Sequence, residues 1–198
     1  MNAMIKKKIK QVPSSAELEQ EIKRERDVKR DRNTLQSTIY VLLAAAATAV
    51  LVATLWMPVL QIFGTSMAPT LAEGEIVVSV KSDEFETGDV VAFYYGNRLL
   101  VKRYIAGPGS WVDIDAEGNI TVDGVVLDEP YLTEKHFGLS DLEYPYQVPE
   151  ERYFLVGDNR ETSVDSRHTA VGCIGEEQIV GKIVVRVWPM EAFGQIGE

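Results

Sequence analysis

Three short stretches of this chain carry side chains from which hydrolytic chemistry could be built. Ser66 stands in Gly64-Thr65-Ser66-Met67-Ala68-Pro69-Thr70, Lys102 stands inside an apolar run over residues 99–105, and Gly157-Asp158-Asn159-Arg160 opens a segment of small and charged residues that ends at Arg167. A serine hydroxyl is a weak nucleophile until a neighbouring base takes its proton. The usual base is histidine, but neither of the two histidines, His136 and His168, lies in a stretch that looks like a site, which leaves Lys102 as the base to test. On a strand Lys102 shares a face with Leu100 and Tyr104. Burial on such a face can lower a lysine pKa from about 10.4 to about 5–6. The neutral amine could then accept the Ser66 proton, and the resulting ammonium could protonate the leaving amine. Taken singly, each residue is weak evidence. A lone strand lysine usually faces water, and Gly-Thr-Ser is a common turn. Gly64 frees the backbone there and Pro69 stiffens it, so backbone N–H groups at the turn could form an oxyanion hole.

The distribution of charge separates the parts that must hold these groups. Residues 1–32 carry ten Lys/Arg against six Asp/Glu, residues 33–72 carry no charge, and residues 73–198 carry ten Lys/Arg against twenty-four Asp/Glu. Residues 38–57 form an uncharged apolar run that, as a helix, would be about 30 Å long and match the hydrocarbon core of a bilayer. Pro58 stops or bends it, and Trp56 sits where interfacial aromatics are favoured. The basic leader predicts a cytoplasmic N-terminus with residues 59–198 outside. The long leader and long apolar run argue against a cleaved secretory signal, and apolarity on every side argues against a buried core helix. Ahead of the run, Pro13, Ser14 and Glu17 form a capping-box pattern opening a charged helix, read as a solvated cytoplasmic stub. The expected organisation is a charged cytoplasmic leader over 1–37, a single-pass membrane anchor over 38–58 and a β-rich extracytoplasmic domain over 59–198.

Beyond the anchor the pattern is strand after strand. Residues 76–80, 90–95, 99–105, 111–114, 120–122, 153–156 and 179–188 are β-branched, aromatic or alternating runs, and Gly96-Asn97, Gly118-Asn119 and Asp123-Gly124 are turn pairs between them. No helical period and no internal repeat follow the anchor. A closed or folded antiparallel sheet is expected, with residues 129–149, which contain Pro130, Pro145 and Pro149, as a long excursion. The acidic outer part argues against a nucleic-acid partner, because phosphate binding needs clustered Lys/Arg. Cys173 is the single cysteine and reads as a small buried hydrophobe. No metal site or cofactor is expected, because the histidines and cysteine show no ligand spacing.

Combined, the motifs are far more specific. Ser66-Met67-Ala68-Pro69-Thr70-Leu71 after a membrane span, Gly88-Asp89-Val90-Val91, residues 101–109 (Val-Lys-Arg-Tyr-Ile-Ala-Gly-Pro-Gly) and residues 157–167 (Gly-Asp-Asn-Arg-Glu-Thr-Ser-Val-Asp-Ser-Arg) occur in that order. This set resembles bacterial type I signal peptidases, in the single-span form typical of Gram-positive bacteria, from the anchor to about Pro189. The resemblance implies an all-β catalytic core of coiled antiparallel sheets behind the anchor. It also implies a membrane serine endopeptidase that removes signal peptides from exported pre-proteins after small-x-small sequences. By the same resemblance Ser66 is the nucleophile, Lys102 the general base and Ser163 the hydroxyl that orients the lysine amine. Asp158, Asp165, Arg103 and Arg167 match charged positions that hold the site's loops through ion pairs. Ile62, Phe63, Leu71, Leu100 and Val101 are, by position, candidates to line shallow pockets for Ala-sized side chains. The implied partners are pre-proteins, the lipid bilayer and the secretion translocon.

Three positions depart from the pattern. Gly64 stands where some members carry a serine whose hydroxyl joins the oxyanion hole, so the hole would rely on backbone N–H, chiefly that of Ser66. Pro108-Gly109-Ser110 replaces a Pro-Gly-Asp, and His168-Thr169-Ala170-Val171 precede Gly172 where the next glycine often comes sooner. Competing readings are a Ser-Lys self-cleaving repressor, which would need a helix-turn-helix that residues 1–58 lack, an enzyme restricted to pilin or spore-coat precursors, and a non-catalytic anchored β scaffold.

Overall fold

Residues 14–196 are described by a computed structural model. The chain divides into a helical unit ending at Val52 and a β unit from Ala53 onward. The helix α1 spans Ser15–Trp56. Its first turn is closed reciprocally: Glu17 N–H donates to Ser14 Oγ, and Ser14 N–H donates to a Glu17 carboxylate oxygen at 2.8 Å; Pro13 lies outside the described residues. The helix runs unbroken through residues 37 and 38, so the change from charged leader to apolar span is one of composition, not of secondary structure. None of its residues is buried. An 18-residue window reaches a mean hydropathy of 2.2, long and apolar enough to cross a membrane. The Thr48 hydroxyl inside that span donates back to the Ala44 carbonyl, which satisfies it without an outside partner.

The β unit contains β1 (Val59–Gln61), β2 (Ile76–Val80), β3 (Val90–Tyr95), β4 (Arg98–Ala106), β5 (Trp111–Ile114), β6 (Ile120–Val122), β7 (Val125–Val126), β8 (Tyr146–Gln147), β9 (Arg152–Val156), β10 (Ile174–Gly175), β11 (Ile179–Trp188) and β12 (Gly194–Gln195). One eight-stranded sheet runs β1-β2-β11-β3-β4-β9-β10 with β12 paired to β11, and a four-stranded sheet runs β7-β6-β5-β8. The ladders are antiparallel. The expected antiparallel β architecture behind one apolar helix is therefore the observed one. The Asp123-Gly124 turn has both central residues at positive φ, the conformation that favours this dipeptide in a two-residue hairpin. Five strands of two or three residues, β1, β7, β8, β10 and β12, were not expected; they are too short to carry a period of their own.

Alternation on β3 divides the interior. Val90 and Ala92 pack with Ile62, Met67, Leu71, Val77 and Ile183, while Val91 and Phe93 pack with Tyr104, Tyr153, Leu155 and Ile174. A register shift between Tyr104 and Ala106 puts Ile105 and Ala106 together in a third cluster with Val112, Ile114, Ile120, Phe154 and Cys173. That cluster joins the small sheet to the end of β4 and β9. Residues 127–145 form no regular element and lead into β8.

Candidate active site

The turn carrying Ser66 begins at Gly64, whose φ of +80° lies in the left-handed region that glycine tolerates. The turn is fastened by a second loop. Asn159 N–H donates to the Ser66 carbonyl at 3.1 Å, and Thr70 Oγ1 donates to Asp158 Oδ2 at 2.5 Å. Among the described residues the Ser66 N–H donates to no backbone carbonyl.

Lys102 sits in β4 opposite Val91, and its residue is 3% exposed. Its Nζ lies 2.5 Å from Ser66 Oγ. Burial is the main force on this amine and lowers its pKa from 10.5 to about 8; Asp165 and Asp158 pull upward and Arg167 adds to the lowering. The neighbouring carboxylates are each engaged by a guanidinium. Asp158 is paired to Arg103 through Nε at 2.8 Å and Nη2 at 2.6 Å, and Asp165 to Arg167 through Nε at 2.8 Å and Nη2 at 2.9 Å. Glu129 is paired to Arg160 at 2.5 Å, Asp89 to Lys182 at 2.5 Å and Glu75 to Arg186 at 2.6 Å. Each buried carboxylate of the described residues thus has its own cation, and Lys102 forms no ion pair among them.

The arginines also organise backbone. Arg103 Nη1 donates to the Gly88 carbonyl at 2.5 Å, and its guanidinium stacks 3.6 Å from the Tyr131 ring centroid. Arg167 donates to the carbonyls of Phe137, Arg160 and Ser163. The Gly157 peptide is held at both ends: its N–H donates to Asp165 Oδ2 at 2.9 Å, and its carbonyl accepts from Arg160 Nε at 3.1 Å. Ser163 Oγ is buried without a hydrogen-bond partner among the described residues, so the contact expected between it and Lys102 is not formed. It faces Gly157 instead, where an added Cβ would fall on Ser163 Oγ and within 2.6 Å of the Ser66 carbonyl.

The five apolar residues expected around the site are not gathered on one surface. Leu71 is 0% exposed and Ile62 is 4% exposed, both inside the core, whereas Phe63 is 77% exposed. Leu100 packs with the cluster around Phe93 and Val101 with the cluster around Ala92, because neighbouring strand residues alternate sides. His168 Nδ1 lies 3.6 Å from an Asp141 carboxylate oxygen at the surface, and His136 lines a cleft of about 270 Å3 beside Ala68, Pro69 and Asn159. Cys173 is buried in the core with its thiol pKa pushed up by desolvation. Sequence reasoning missed Glu129 and Tyr131, and it quoted Arg160 within the 157–167 motif without giving it a role. The only signal for Glu129 and Tyr131 was that 129–149 is a long excursion, and a pairing across 31 residues leaves no local trace.

The family described as "Signal peptidase, peptidase S26" matches residues 35–188. Signal peptidase IB of Staphylococcus aureus is 40% identical over 150 residues, covering 66% of this chain and 77% of that protein. The chloroplastic thylakoidal processing peptidase 1 of Arabidopsis thaliana is 34% identical over 166 residues, covering 73% of this chain and 47% of that protein. A crystal structure of a signal peptidase I from Enterococcus faecalis V583 aligns with a TM-score of 0.43 at 26% identity, covering 50% of this chain and 96% of the other.

Proposed function

Since the chain belongs to the signal peptidase family, peptidase S26, we propose that it is a membrane-anchored serine endopeptidase that cleaves signal peptides from exported pre-proteins after small-x-small sequences. The observation that carries this reading is the 2.5 Å approach of Lys102 Nζ to Ser66 Oγ, made by an amine that is buried and has no carboxylate partner. Neutral Lys102 takes the hydroxyl proton as Ser66 Oγ attacks the scissile carbonyl. The Ser66 N–H, which among the described residues donates to no backbone carbonyl, is the donor for the developing oxyanion. The tetrahedral intermediate expels the new N-terminal amine, which takes its proton from the Lys102 ammonium. Lys102 then deprotonates the water that hydrolyses the acyl-ester and returns the proton to Ser66. Ser163 remains the orienting hydroxyl in this scheme. Its support is a buried, unpartnered donor next to the Ser66 backbone, since such groups in native proteins call for an explanation.

The anchor is the span over 38–58, which includes the apolar end of α1 up to Trp56, with the leader over 1–37 inside and the domain over 59–198 outside. Ser66 lies eight residues beyond Pro58 and so within about 26 Å of it along the chain. A signal peptide held in the same bilayer presents its cleavage site at that surface, and sharing the membrane raises the effective concentration.

The deciding experiment uses full-length protein in vesicles with a pre-protein substrate. Ser66→Ala and Lys102→Ala should each abolish cleavage and remain folded. Residual activity in either beyond a trace would defeat the dyad. An anchored scaffold would give no labelled band with a β-lactam-like or penem probe, whereas the enzyme should give one that depends on Ser66. Comparing the precursors that accumulate on depletion separates a broad substrate range from pilin or spore-coat specialists.

A further inference from the structure

The excursion over 129–149 has no place yet in the chemistry, and its first residue, Glu129, forms a buried pair with Arg160 of the 157–167 loop. Glu129 is 4% exposed and Arg160 is 2% exposed. The Glu129 carboxylate accepts from Arg160 Nη2 at 2.5 Å, from Arg160 Nη1 at 3.3 Å and from the Tyr131 hydroxyl at 2.9 Å. A guanidinium cannot shed its proton in a protein, so burying Arg160 requires a counter-charge, and Glu129 is the carboxylate paired with it. Arg160 in turn donates Nε to the Gly157 carbonyl. Two residues further on, Asn159 N–H holds the Ser66 carbonyl. Tyr131 is linked to the same loop through Arg103, which stacks on its ring and is bound to Asp158.

The excursion also packs where a side chain could not. Gly138, at φ +68°, faces the Arg160 carbonyl so closely that a Cβ would overlap it, and that Cβ would also lie 2.6 Å from Arg167 Nη1. The excursion and the 157–167 loop therefore meet at a buried ion pair, a stacked cation and a bare backbone contact.

We infer that Glu129 is a positioning residue for cleavage: through Arg160 it sets the Gly157–Asn159 backbone that holds the Ser66 carbonyl, and with it the placement of Ser66 Oγ on Lys102 Nζ. Tyr131 fixes the second lone-pair direction of the same carboxylate. This rests on the proposed peptidase reading. An effect on placement alone lowers turnover and leaves substrate binding unchanged. A merely structural ion pair would instead lower the thermal midpoint and leave the folded enzyme's turnover intact.

The test measures kcat and KM of the full-length protein in vesicles, below the thermal midpoint of each variant. Glu129→Gln should lower kcat by about 10²-fold, the scale of a displaced catalytic group, with KM within about twofold. Tyr131→Phe removes only the hydroxyl bond to Glu129 and should lower kcat by less, about threefold to tenfold, with an unchanged midpoint. The double variant Glu129→Leu, Arg160→Met replaces the buried pair by apolar groups, which avoids an unpaired buried charge; its kcat should stay low because the Gly157 carbonyl has lost its donor. The double variant decides the matter if Glu129→Gln does not fold. Wild-type kcat in Glu129→Gln or in the double variant would overturn the inference. A wild-type protein that cleaves no pre-protein would instead defeat the peptidase reading, and this inference with it.

Discussion

At Lys102 opposing effects meet. Desolvation disfavours the ammonium and outweighs the upward pull of Asp165 and Asp158, while Arg167 adds to the lowering, so the amine is held at a pKa of about 8 instead of 10.5. If the free amine is the base, kcat/KM should rise about tenfold per pH unit on the acid side and level off near pH 8. A plateau reached near pH 6 would point to another base. The same shift is a statement about stability. Below about pH 8 the lysine is charged in both the folded and unfolded chains, and the folded state carries the full cost of burial. Between about 8 and 10.5 the unfolded chain binds more protons, so stability rises with pH; above that range the effect is complete. At neutral pH the cost is about 3 kcal/mol. Lys102→Met should therefore abolish cleavage while raising the thermal midpoint at pH 7, and a lowered midpoint would show that the ammonium is better stabilised than its burial implies. Ser163 separates by kinetics. If its hydroxyl orients the amine during turnover, Ser163→Ala should lower kcat by about 10²–10³-fold with little change in KM or thermal midpoint, and Ser163→Thr or Ser163→Cys should recover part of it. A lower midpoint with near-normal kcat would make Ser163 structural, a filler beside Gly157.

At the scale of elements the site is a meeting of one strand and two loops. β4 supplies Lys102 and Arg103 as neighbours, and alternation sends them to opposite faces. One reaches Ser66, and the other reaches Asp158, Thr70 and the Gly88 carbonyl. The turn over 64–71 and the loop over 157–167 are in turn fastened to each other by hydrogen bonds from Asn159 and Thr70. Gly157 is the tightest point of the contact, with both ends of its peptide bonded and no room for a Cβ beside the Ser66 carbonyl. Gly157→Ala must displace backbone and not merely a flexible side chain, so it should abolish cleavage and lower the thermal midpoint; the activity assay and a melt on the same preparation check this. Full activity in that variant would mean that the two loops are farther apart than the present contact. The strands of β-branched and aromatic runs were legible beforehand because packing a pleated face selects those residue types. β8 and β10 were not, because two residues have no alternation to read and their pairing is decided by the strands beside them.

For the molecule as a whole, the helical unit and the β unit differ in what covers their apolar surface. α1 leaves its apolar residues exposed, whereas the β unit buries many of its own in three clusters. The apolar part of the helix is long and apolar enough to cross a membrane, which is the setting proposed for it. In the proposed topology the basic leader ahead of the span stays inside. Protease added to intact protoplasts should remove the β unit and spare the leader. A β unit protected until the cells are lysed would reverse the proposed topology. The same division explains why the acidic balance of residues 73–198 does not disturb the site: the buried carboxylates there are paired one by one, and the remaining charge faces water, where it is screened.

Read alone, the sequence determined the class of the β domain, the apolar span, the family resemblance and the names of Ser66, Lys102, Ser163, Asp158, Asp165, Arg103 and Arg167. All of these are written in local runs or in motifs whose order survives without coordinates. Tertiary structure alone decided which carboxylate faces which guanidinium, that Lys102 Nζ reaches Ser66 Oγ across 36 residues of chain, and that Ser163 Oγ is left unpartnered. It also decided that Leu71 belongs to the core and Phe63 to the surface, and that Glu129 and Tyr131 come from a distant excursion to hold Arg160 and Arg103. The reason is physical. Periodicity and turn chemistry depend on neighbours within a few residues, whereas burial, desolvation and ion pairing depend on what the rest of the fold brings within a few ångströms, and no local pattern encodes that.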